Sequence, residues 1–287
     1  MSDQKRDQNT HEMVTSAIPS ALLRILSTLP KAVIAFSGGI DSRFLCLAAR
    51  LSGCQILAIH VRGPHIPASA TLYATRWAND NKIPIAYADY NPLARTEIRF
   101  NRHGRCYFCK KGMLAKIKET ASLHGCQNWP VCDGSQQDDQ QGFRPGRVAL
   151  AEAGVISPLA LAGIGKRQIR DIGAKIGLSD CSQKSRPCLL TRFAYDLPIY
   201  KAQLEQVEAC EAALGKLFED SDCADFRLRL APEPILQLGN AAMANHPDLL
   251  PLLEAFNLGH AAIAVTPNLS GFFDRPVLMS GSQTTII

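Results

Sequence analysis

The chain has 287 residues, of which 46% are hydrophobic and 20% are charged, and its formal net charge is +5. This length allows one large domain or two ordinary ones, with a core that needs no disulfide or metal to be stable. The composition excludes an intrinsically disordered chain, and the mild positive charge is too small to indicate a protein that binds duplex nucleic acid.

Residues 1–18 are expected to form a flexible arm. Their polar sequence lacks the apolar segment of a secretory signal, and no apolar run in the chain approaches the length of a membrane span. We therefore expect a cytoplasmic protein that has no membrane partner.

Short apolar runs alternate with segments of helical periodicity from residue 20 to residue 193. This alternation predicts a domain with a parallel sheet covered by helices on both faces, whose binding crevice lies at the carboxyl ends of the strands. A smaller α/β region is predicted over residues 194–287. In chain order, we predict strands or short apolar runs at 31–36, 55–61, 83–90, 129–132, 155–159, 226–230, 235–238 and 261–265, and helices at 42–51, 68–81, 113–123, 166–176, 201–218 and 249–256.

The first predicted strand runs directly into the segment SGGIDS, residues 37–42, and then into a helix. Two adjacent glycines let the backbone approach a ligand closely, and the helix start offers unpaired N–H groups and the positive end of its dipole. We therefore expect this segment to bind phosphate or pyrophosphate. It lacks the lysine of a Walker A loop and the third glycine of a dinucleotide fingerprint. An ordinary Gly-Gly turn before a capped helix is the structural alternative.

SGGxDS between a strand and a helix resembles the PP-loop of the ATP pyrophosphatase superfamily, which has a Rossmann-like fold of the adenine nucleotide alpha hydrolase type. Members of this superfamily cleave ATP to AMP and pyrophosphate and so activate an oxygen by adenylylation. The resemblance implies that five residues of the segment hold the pyrophosphate end of ATP, and that the aspartate also helps to bind Mg²⁺. These residues are Ser37, Gly38, Gly39, Asp41 and Ser42.

The chain contains ten cysteines, whose spacing is not that of a secreted disulfide scaffold, so most are expected to be buried apolar residues. Cys106 and Cys109 instead form a CxxC beside lysines and a predicted helix start, a setting that favours thiolates. The pair suits a metal or an electrophile. Half of a structural zinc site, a redox pair and two buried thiols are the alternatives, although no second CxxC completes a zinc site.

Cys188 lies in a predicted loop among Lys184, Arg186 and Arg192, and this electropositive setting is expected to lower the pKa of its thiol. Such a thiolate suits attack on an adenylylated carboxylate, and a buried loop cysteine near solvated cations is the alternative. The segment DGSQQDD, residues 133–139, closes another predicted strand and is expected on the crevice side, unless it is an ordinary solvated loop.

These motifs stand in the order found in the LarE family, whose members are ATP-dependent sulfur transferases of nickel-pincer nucleotide synthesis. The resemblance covers roughly residues 20–215 and rests on the series rather than on one motif. The series comprises SGGIDS, RCYFCK, DGSQQDD with RPG, GVISPL, KRQIR followed by GL, and PCLLTRF.

The resemblance implies that ATP adenylylates a carboxylate of a pyridinium mononucleotide and that Cys188 then displaces AMP to give an enzyme thioester. In one form of the family's chemistry, the cysteine gives up its own sulfur and becomes dehydroalanine. In the other, Cys106, Cys109 and Cys188 would hold a [4Fe–4S] cluster that binds an extra sulfide from a sulfide donor. The CxxC favours the cluster, and Cys181 would be a resolving thiol or a spare ligand.

The resemblance weakens in the C-terminal region. Arg227 and Arg229 alternate on a predicted strand and resemble the family's paired arginines that bind substrate phosphate, with an exposed strand face as the alternative. Glu211 is a candidate for the carboxylate that binds a divalent metal. Residues 266–273 replace the family's Gly-Tyr-Arg-Ser-Gly run, which leaves the substrate acid open. The resemblance further implies a small-molecule nucleotide substrate and a homo-oligomer.

Three other functions remain open. A PP-loop enzyme that thiolates tRNA would need a strongly basic face or an RNA-binding domain, and because the sequence has neither, we expect no nucleic-acid partner. A synthetase or amidotransferase that uses ammonia would need no cysteine near the crevice. A zinc-stabilised interaction module would use the CxxC and would show no ATP–pyrophosphate exchange.

Overall fold

The computed structural model describes residues 15–140, 145–184, 187–219, 225–230, 233–266, 269, 271–274 and 285–286. The chain forms two compact units, one made of residues 1–90 and 106–186 and the other of residues 91–105 and 187–287. The second unit is therefore assembled from two separate segments of the chain. Most of the predicted arm lies outside the described residues, as does Arg186.

A four-stranded sheet forms the centre of the first unit. Its strands are β1 (Lys31–Ala35), β2 (Gln55–Arg62), β3 (Ile85–Asp89) and β4 (Val131–Asp133). The order is β3-β2-β1-β4 and every neighbouring pair is parallel, which confirms the predicted α/β fold.

The helices are numbered in chain order through both units, and the second unit contains α4 and α9 to α11. They are α1 (Ser20–Ser27), α2 (Ile40–Leu51), α3 (Ala68–Asp80), α4 (Thr96–Arg99), α5 (Arg105–Leu123), α6 (Pro145–Glu152), α7 (Pro158–Leu161), α8 (Lys166–Lys175), α9 (Lys201–Leu217), α10 (Ala241–Ala244) and α11 (Leu249–Ala255). No helix in the described part of the chain is long and apolar enough to cross a membrane.

Both faces of the first sheet are buried. Successive residues of a strand point to opposite faces, so Ile34 packs in one apolar cluster with Phe44 of α2, and Val33 packs in another with Leu114 and Ile117 of α5. A strand that is buried on both faces is a nearly continuous apolar run. This is why the strand positions could be predicted from the sequence.

Helix α5 begins at Arg105, well before the start that the sequence predicted at Met113. The residues RCYFCK therefore form the first turns of the helix and are not a loop before it. Cys109 is buried, so the inward-facing side of the helix includes its first turns. Position 112 of this helix is a glycine, and the Tyr90 hydroxyl occupies the place where a Cβ would lie.

Two further segments differ from the prediction. Residues 145–152, for which the sequence predicted no element, form helix α6, since a proline in the first turn is compatible with a helix. The apolar run at 155–159 contributes only an isolated parallel bridge from Ile156 to Cys132, after which α7 begins at Pro158.

The second unit contains a mixed sheet of β5 (Phe226–Leu230), β6 (Pro234–Leu238), β7 (Ala262–Val265) and β8 (Thr285–Ile286), in that order. The pairs β5–β6 and β7–β8 are antiparallel, and β6–β7 is parallel. Helix α9 packs on β5. The predicted α/β character of the C-terminal region is confirmed, and its predicted bounds of 194–287 stay a prediction.

Asn101 ties residues 91–105 into the second unit. Its buried side-chain amide donates to the carbonyl oxygens of Phe193, at 2.9 Å, and Ala194, at 2.5 Å. The Ile199 amide donates to Arg99 O at 2.7 Å, so the two segments also pair through their backbones.

Candidate functional site

The segment SGGIDS forms a tight turn between β1 and α2 in the first unit. Ser37 Oγ lies 3.2 Å from Ser42 Oγ, and the Gly39 amide donates to Ser37 Oγ at 3.3 Å. Gly39 is the N-cap of α2, and no side chain caps this helix start. The N–H groups of the first turn therefore keep donor capacity that an anion can use.

Two glycines allow this turn to pack closely. Gly38 has a φ of +74°, and a Cβ there would lie 2.6 Å from the Cβ of Ala74. Gly134 follows β4, and a Cβ there would lie 2.9 Å from the amide nitrogen of Ser42. A larger side chain at either position would displace the turn.

A cavity of about 300 Å³ opens beside the turn, at the carboxyl ends of β1 and β4. It brings together hydroxyl groups, three carboxylates and two cations, a set that suits a polyphosphate with a divalent cation. The side chains on its wall include Ser37, Asp41 and Ser42 from the turn, Lys110 from α5, Asp133 from the end of β4, Ser135 and Asp139 from the segment after it, and Arg147 from α6.

Asp41 forms an ion pair with Lys166, the first residue of α8. Lys166 Nζ lies 2.8 Å from each carboxylate oxygen. Burial raises the pKa of Asp41 above its ordinary value of 3.8, and Lys166 opposes that rise without cancelling it. A Mg²⁺ ion at Asp41 would therefore share this carboxylate with a lysine, an arrangement that the sequence motif alone does not predict.

The segment DGSQQDD has partly structural roles. Asp133 is buried and accepts hydrogen bonds from the hydroxyls of Ser135, at 2.5 Å, and Ser157, at 2.6 Å. Asp138 accepts from the backbone N–H of Lys166 at 2.9 Å and so supports the start of α8. Asp139 lies on the cavity wall, which is the position expected of a residue on the crevice side.

Arg43 links α2 to the segment that leads toward Cys188. Its guanidinium is fully buried and donates to Ser179 O at 2.8 Å, to Asp180 O at 3.1 Å and to Gln183 Oε1 at 2.9 Å. No local sequence pattern indicates this contact, because the partners are more than a hundred residues away along the chain.

Cys106 and Cys109 occupy neighbouring positions on one side of α5, with Cys106 exposed and Cys109 buried. The described residues include no group of three or more His, Cys, Asp or Glu side chains placed to hold a metal ion. The [4Fe–4S] cluster on Cys106, Cys109 and Cys188 stays a prediction.

Cys188 lies in the second unit and immediately precedes a 3₁₀ turn at Leu189–Arg192. Its side chain is partly exposed. Its carbonyl oxygen accepts two hydrogen bonds from Thr191, one from the amide at 3.1 Å and one from the hydroxyl at 2.8 Å. The backbone at Cys188 is therefore held in a defined turn.

Arg192 and Glu211 form a largely buried ion pair in this unit. Arg192 donates from Nε and Nη2 to the two carboxylate oxygens at 2.8 and 2.9 Å, and the side chains are 4% and 15% exposed. Glu211 also accepts from the Leu228 amide at 3.0 Å. A divalent metal at Glu211, as the family resemblance implies, would have to displace Arg192.

Arg227 and Arg229 lie on the same face of β5 but have different surroundings. Arg229 is buried and donates to Gln237 Oε1 at 2.8 Å, to Thr191 O at 2.5 Å and to Leu269 O. Burial lowers the pKa of Arg229 to about 9, and nearby arginines add to this shift. Arg227 is half-buried and donates to Phe226 O at 3.0 Å.

Five other cysteines in the described part of the chain are buried, namely Cys46, Cys54, Cys126, Cys132 and Cys210. Burial raises the pKa of Cys132 to about 12 and that of Cys210 to about 11. Cys181 donates its S–H to Leu178 O at 3.0 Å, and burial raises its thiol pKa as well. This setting disfavours a thiolate at Cys181, which the role of a resolving thiol would require.

Sequence reasoning assigned no role in the site to Lys110, which lines the cavity, or to Lys166, which pairs with Asp41. Both belong to motifs, RCYFCK and KRQIR, but only the fold shows what they contact. Lys166 contacts a carboxylate 125 positions away along the chain.

No family model matches this chain, but comparison with known proteins identifies relatives. The pyridinium-3,5-bisthiocarboxylic acid mononucleotide synthase of Lactiplantibacillus plantarum is 26% identical over 208 residues, which are 71% of this chain and 75% of that protein. The uncharacterized protein slr1717 of Synechocystis is 32% identical over 222 residues, or 75% of this chain and 82% of that protein. The uncharacterized protein MJ0830 of Methanocaldococcus jannaschii is 33% identical over 192 residues, which are 64% of this chain and 69% of that protein. This chain belongs to the family that contains the Synechocystis and Methanocaldococcus proteins.

Proposed function

We propose that this protein is a LarE-like, ATP-dependent sulfur transferase that converts a carboxylate of a pyridinium mononucleotide into a thiocarboxylate. The observation that carries the proposal is the cavity beside the SGGIDS turn, where Asp41, Lys110 and Arg147 line one space next to an uncapped helix start. The identity of 26% to a pyridinium-3,5-bisthiocarboxylic acid mononucleotide synthase supports sulfur transfer to this class of substrate.

In this proposal the co-substrate ATP binds with its β- and γ-phosphates at the start of α2. The first-turn N–H groups and the hydroxyls of Ser37 and Ser42 donate to the phosphate oxygens, and Lys110 and Arg147 offset their charge. Mg²⁺ held through Asp41 would further neutralise the departing pyrophosphate. A carboxylate oxygen of the substrate attacks the α-phosphorus, the bond to the bridging oxygen breaks, and an acyl adenylate remains.

The thiolate of Cys188 then attacks the acyl carbon, and the bond to the AMP oxygen breaks to leave a thioester. In the sacrificial route, a base removes the Cα proton of Cys188 and its Cβ–S bond breaks, which leaves dehydroalanine on the protein and a thiocarboxylate on the substrate. In the other route, Cys106, Cys109 and Cys188 would hold a [4Fe–4S] cluster that supplies a site for external sulfide. The sulfide donor and the homo-oligomer stay predictions.

A group of arginines in the second unit supports a substrate that carries phosphate. Arg192, Arg227 and Arg105 each lower the pKa of Arg229, so these guanidinium groups are near one another, and Glu211 and Asp225 only partly offset them. A cluster with more buried cations than carboxylates favours binding of an anion.

An ATP–pyrophosphate exchange assay tests the proposal, with nicotinic acid mononucleotide as the acid. We expect exchange that depends on the mononucleotide, and a thiocarboxylate product that Cys188→Ala cannot form although it still exchanges. Exchange that requires tRNA would instead identify a tRNA-modifying enzyme. Formation of an amide from ammonia, at full rate in Cys188→Ala, would identify an ammonia-using synthetase.

A further inference from the structure

We propose that Arg229 is a positioning residue for Cys188, and that only Arg227 of the two arginines on β5 recognises the substrate phosphate. This inference rests on the proposed function, because it takes Cys188 as the reactive thiol. It assigns different roles to two arginines that the sequence pattern treats as a pair.

The surroundings of Arg229 leave little access for a ligand. Its side chain is 3% exposed, and Nε, Nη1 and Nη2 each donate to a protein oxygen, on Gln237, Thr191 and Leu269. The rings of Phe272 and Phe273 lie 5.5 and 5.8 Å from its guanidinium carbon. A phosphate group would have to break these bonds in a buried site, where an unpaired carbonyl is costly.

A short chain of hydrogen bonds joins Arg229 to Cys188. Arg229 Nη1 donates to the Thr191 carbonyl at 2.5 Å, and the Thr191 amide and hydroxyl both donate to the carbonyl of Cys188. Arg192 donates from Nη1 to the Thr191 hydroxyl at 2.8 Å, which fixes the same residue from another side. Thr191 therefore transmits the position of two buried arginines to the backbone that carries the thiol.

Arg227 has the access that Arg229 lacks. It is half-buried, and its one hydrogen bond in the described part of the chain runs from Nη1 to the carbonyl of the preceding residue, Phe226. Burial lowers its pKa, but the guanidinium remains protonated at neutral pH. Its other N–H groups can therefore donate to phosphate oxygens in the paired geometry that arginine favours.

Calorimetric binding of nicotinic acid mononucleotide to the full chain separates the two roles without any need for catalysis. Arg227→Gln should weaken binding by about tenfold or more, because hydrogen bonds between charged groups contribute on that scale. Arg229→Lys, which keeps the positive charge, should bind within about twofold of the wild type, whereas Arg229→Gln also removes a cation from the arginine cluster and so does not test the contact alone. If Arg229→Lys weakens binding as much as Arg227→Gln does, with both variants melting like the wild type, the proposal is overturned.

A second pair of variants tests the link to Cys188 and does not depend on how well Arg229→Gln folds. Thr191→Val removes the hydroxyl at nearly constant volume, and Thr191→Ser keeps it. Thr191→Val and Arg229→Lys should lower kcat for thiocarboxylate formation by on the order of tenfold with little change in KM, since small errors in position are costly to rate. Thr191→Ser should retain kcat, and an unchanged kcat in Thr191→Val would overturn the proposal.

Failure of the proposed function can be distinguished from failure of the separate roles assigned to Arg227 and Arg229. Thiocarboxylate formation by Cys188→Ala would refute the proposed role of Cys188 but would leave the difference in mononucleotide binding between Arg227 and Arg229 intact. Equal binding losses at the two arginines, with Cys188 still required, would refute only the separation of roles.

Discussion

Lys166 Nζ lies 2.8 Å from both carboxylate oxygens of Asp41. The pair joins the start of α8 to the start of α2, so the carboxylate proposed to meet Mg²⁺ is held by a second helix. Burial nevertheless outweighs the lysine, and the pKa of Asp41 is raised. The protein therefore keeps a carboxylate in the cavity at some cost to its own stability, as is common at functional sites.

Asp41→Asn should abolish ATP–pyrophosphate exchange and leave the protein at least as stable as the wild type at neutral pH. The folded-state pKa is above the ordinary value of 3.8, so the wild type loses stability as the pH rises through the folded pKa. The advantage of the variant should therefore shrink as the pH falls toward that ordinary value. Thermal unfolding across this range measures the difference, and a variant that is markedly less stable at neutral pH would contradict the assignment.

Gly38→Ala should destabilise the SGGIDS turn by more than the strain of a left-handed backbone conformation alone would cause. Gly53 is a matched control, because its φ of +81° is close to the +74° of Gly38 and a Cβ there meets nothing within 4 Å. Gly53→Ala should cost about 1–2 kcal/mol of unfolding free energy from left-handed strain. Gly38→Ala should cost more and lose ATP binding, because its Cβ would collide with Ala74. Equal costs in denaturant unfolding would contradict the close packing of the turn.

Arg43→Met should destabilise the protein and loosen the segment before Cys188. It removes three hydrogen bonds from a buried guanidinium, and we expect a loss of about 3 kcal/mol or more. Arg50→Met on the same helix is the control, since Arg50 is exposed and its loss should change stability by only about 0.5 kcal/mol. Tryptic cleavage after Lys184 should be faster only in Arg43→Met, and equal rates in the two variants would argue against the tether.

Iron analysis decides between the two sulfur sources. Because the CxxC favours a cluster, we expect protein purified without oxygen to contain iron and acid-labile sulfide, and Cys106→Ser to lose both. Cys126→Ser should keep them, since Cys126 is buried and donates to His124 O at 3.4 Å. Colourless wild-type protein that completes a single turnover would instead establish Cys188 as the sulfur that is consumed.

The sequence predicted those parts of the fold that local pattern determines. Strand β1, the SGGIDS turn and the helix after it follow from a buried apolar run, two glycines and helical periodicity, and all lie where expected. The start of α5 was not predicted, because a helix that begins with cysteines and aromatic residues carries a weak periodic signal. Asn101 shows a second limit, since no local pattern indicates that residues 91–105 join the second unit.

The motif indicated a segment that lines the cavity, but it did not indicate which distant residues contact that segment. Ser37, Asp41 and Ser42 of the SGGIDS segment line the cavity, but Lys166 reaches Asp41 from 125 residues away. Arg227 and Arg229 share a strand face, as alternation predicts, yet one is enclosed by protein oxygens and the other is not. Such differences depend on which segments meet in the folded chain, and no single segment encodes them.

In the proposed reaction, Cys188 acts after ATP has activated the substrate acid. The most direct measurement compares wild type and Cys188→Ala for ATP–pyrophosphate exchange and for thiocarboxylate formation in the same mixture with nicotinic acid mononucleotide. We predict that the variant exchanges pyrophosphate at close to the wild-type rate and forms no thiocarboxylate. Thiocarboxylate formed by Cys188→Ala at the wild-type rate would contradict the proposed role of Cys188.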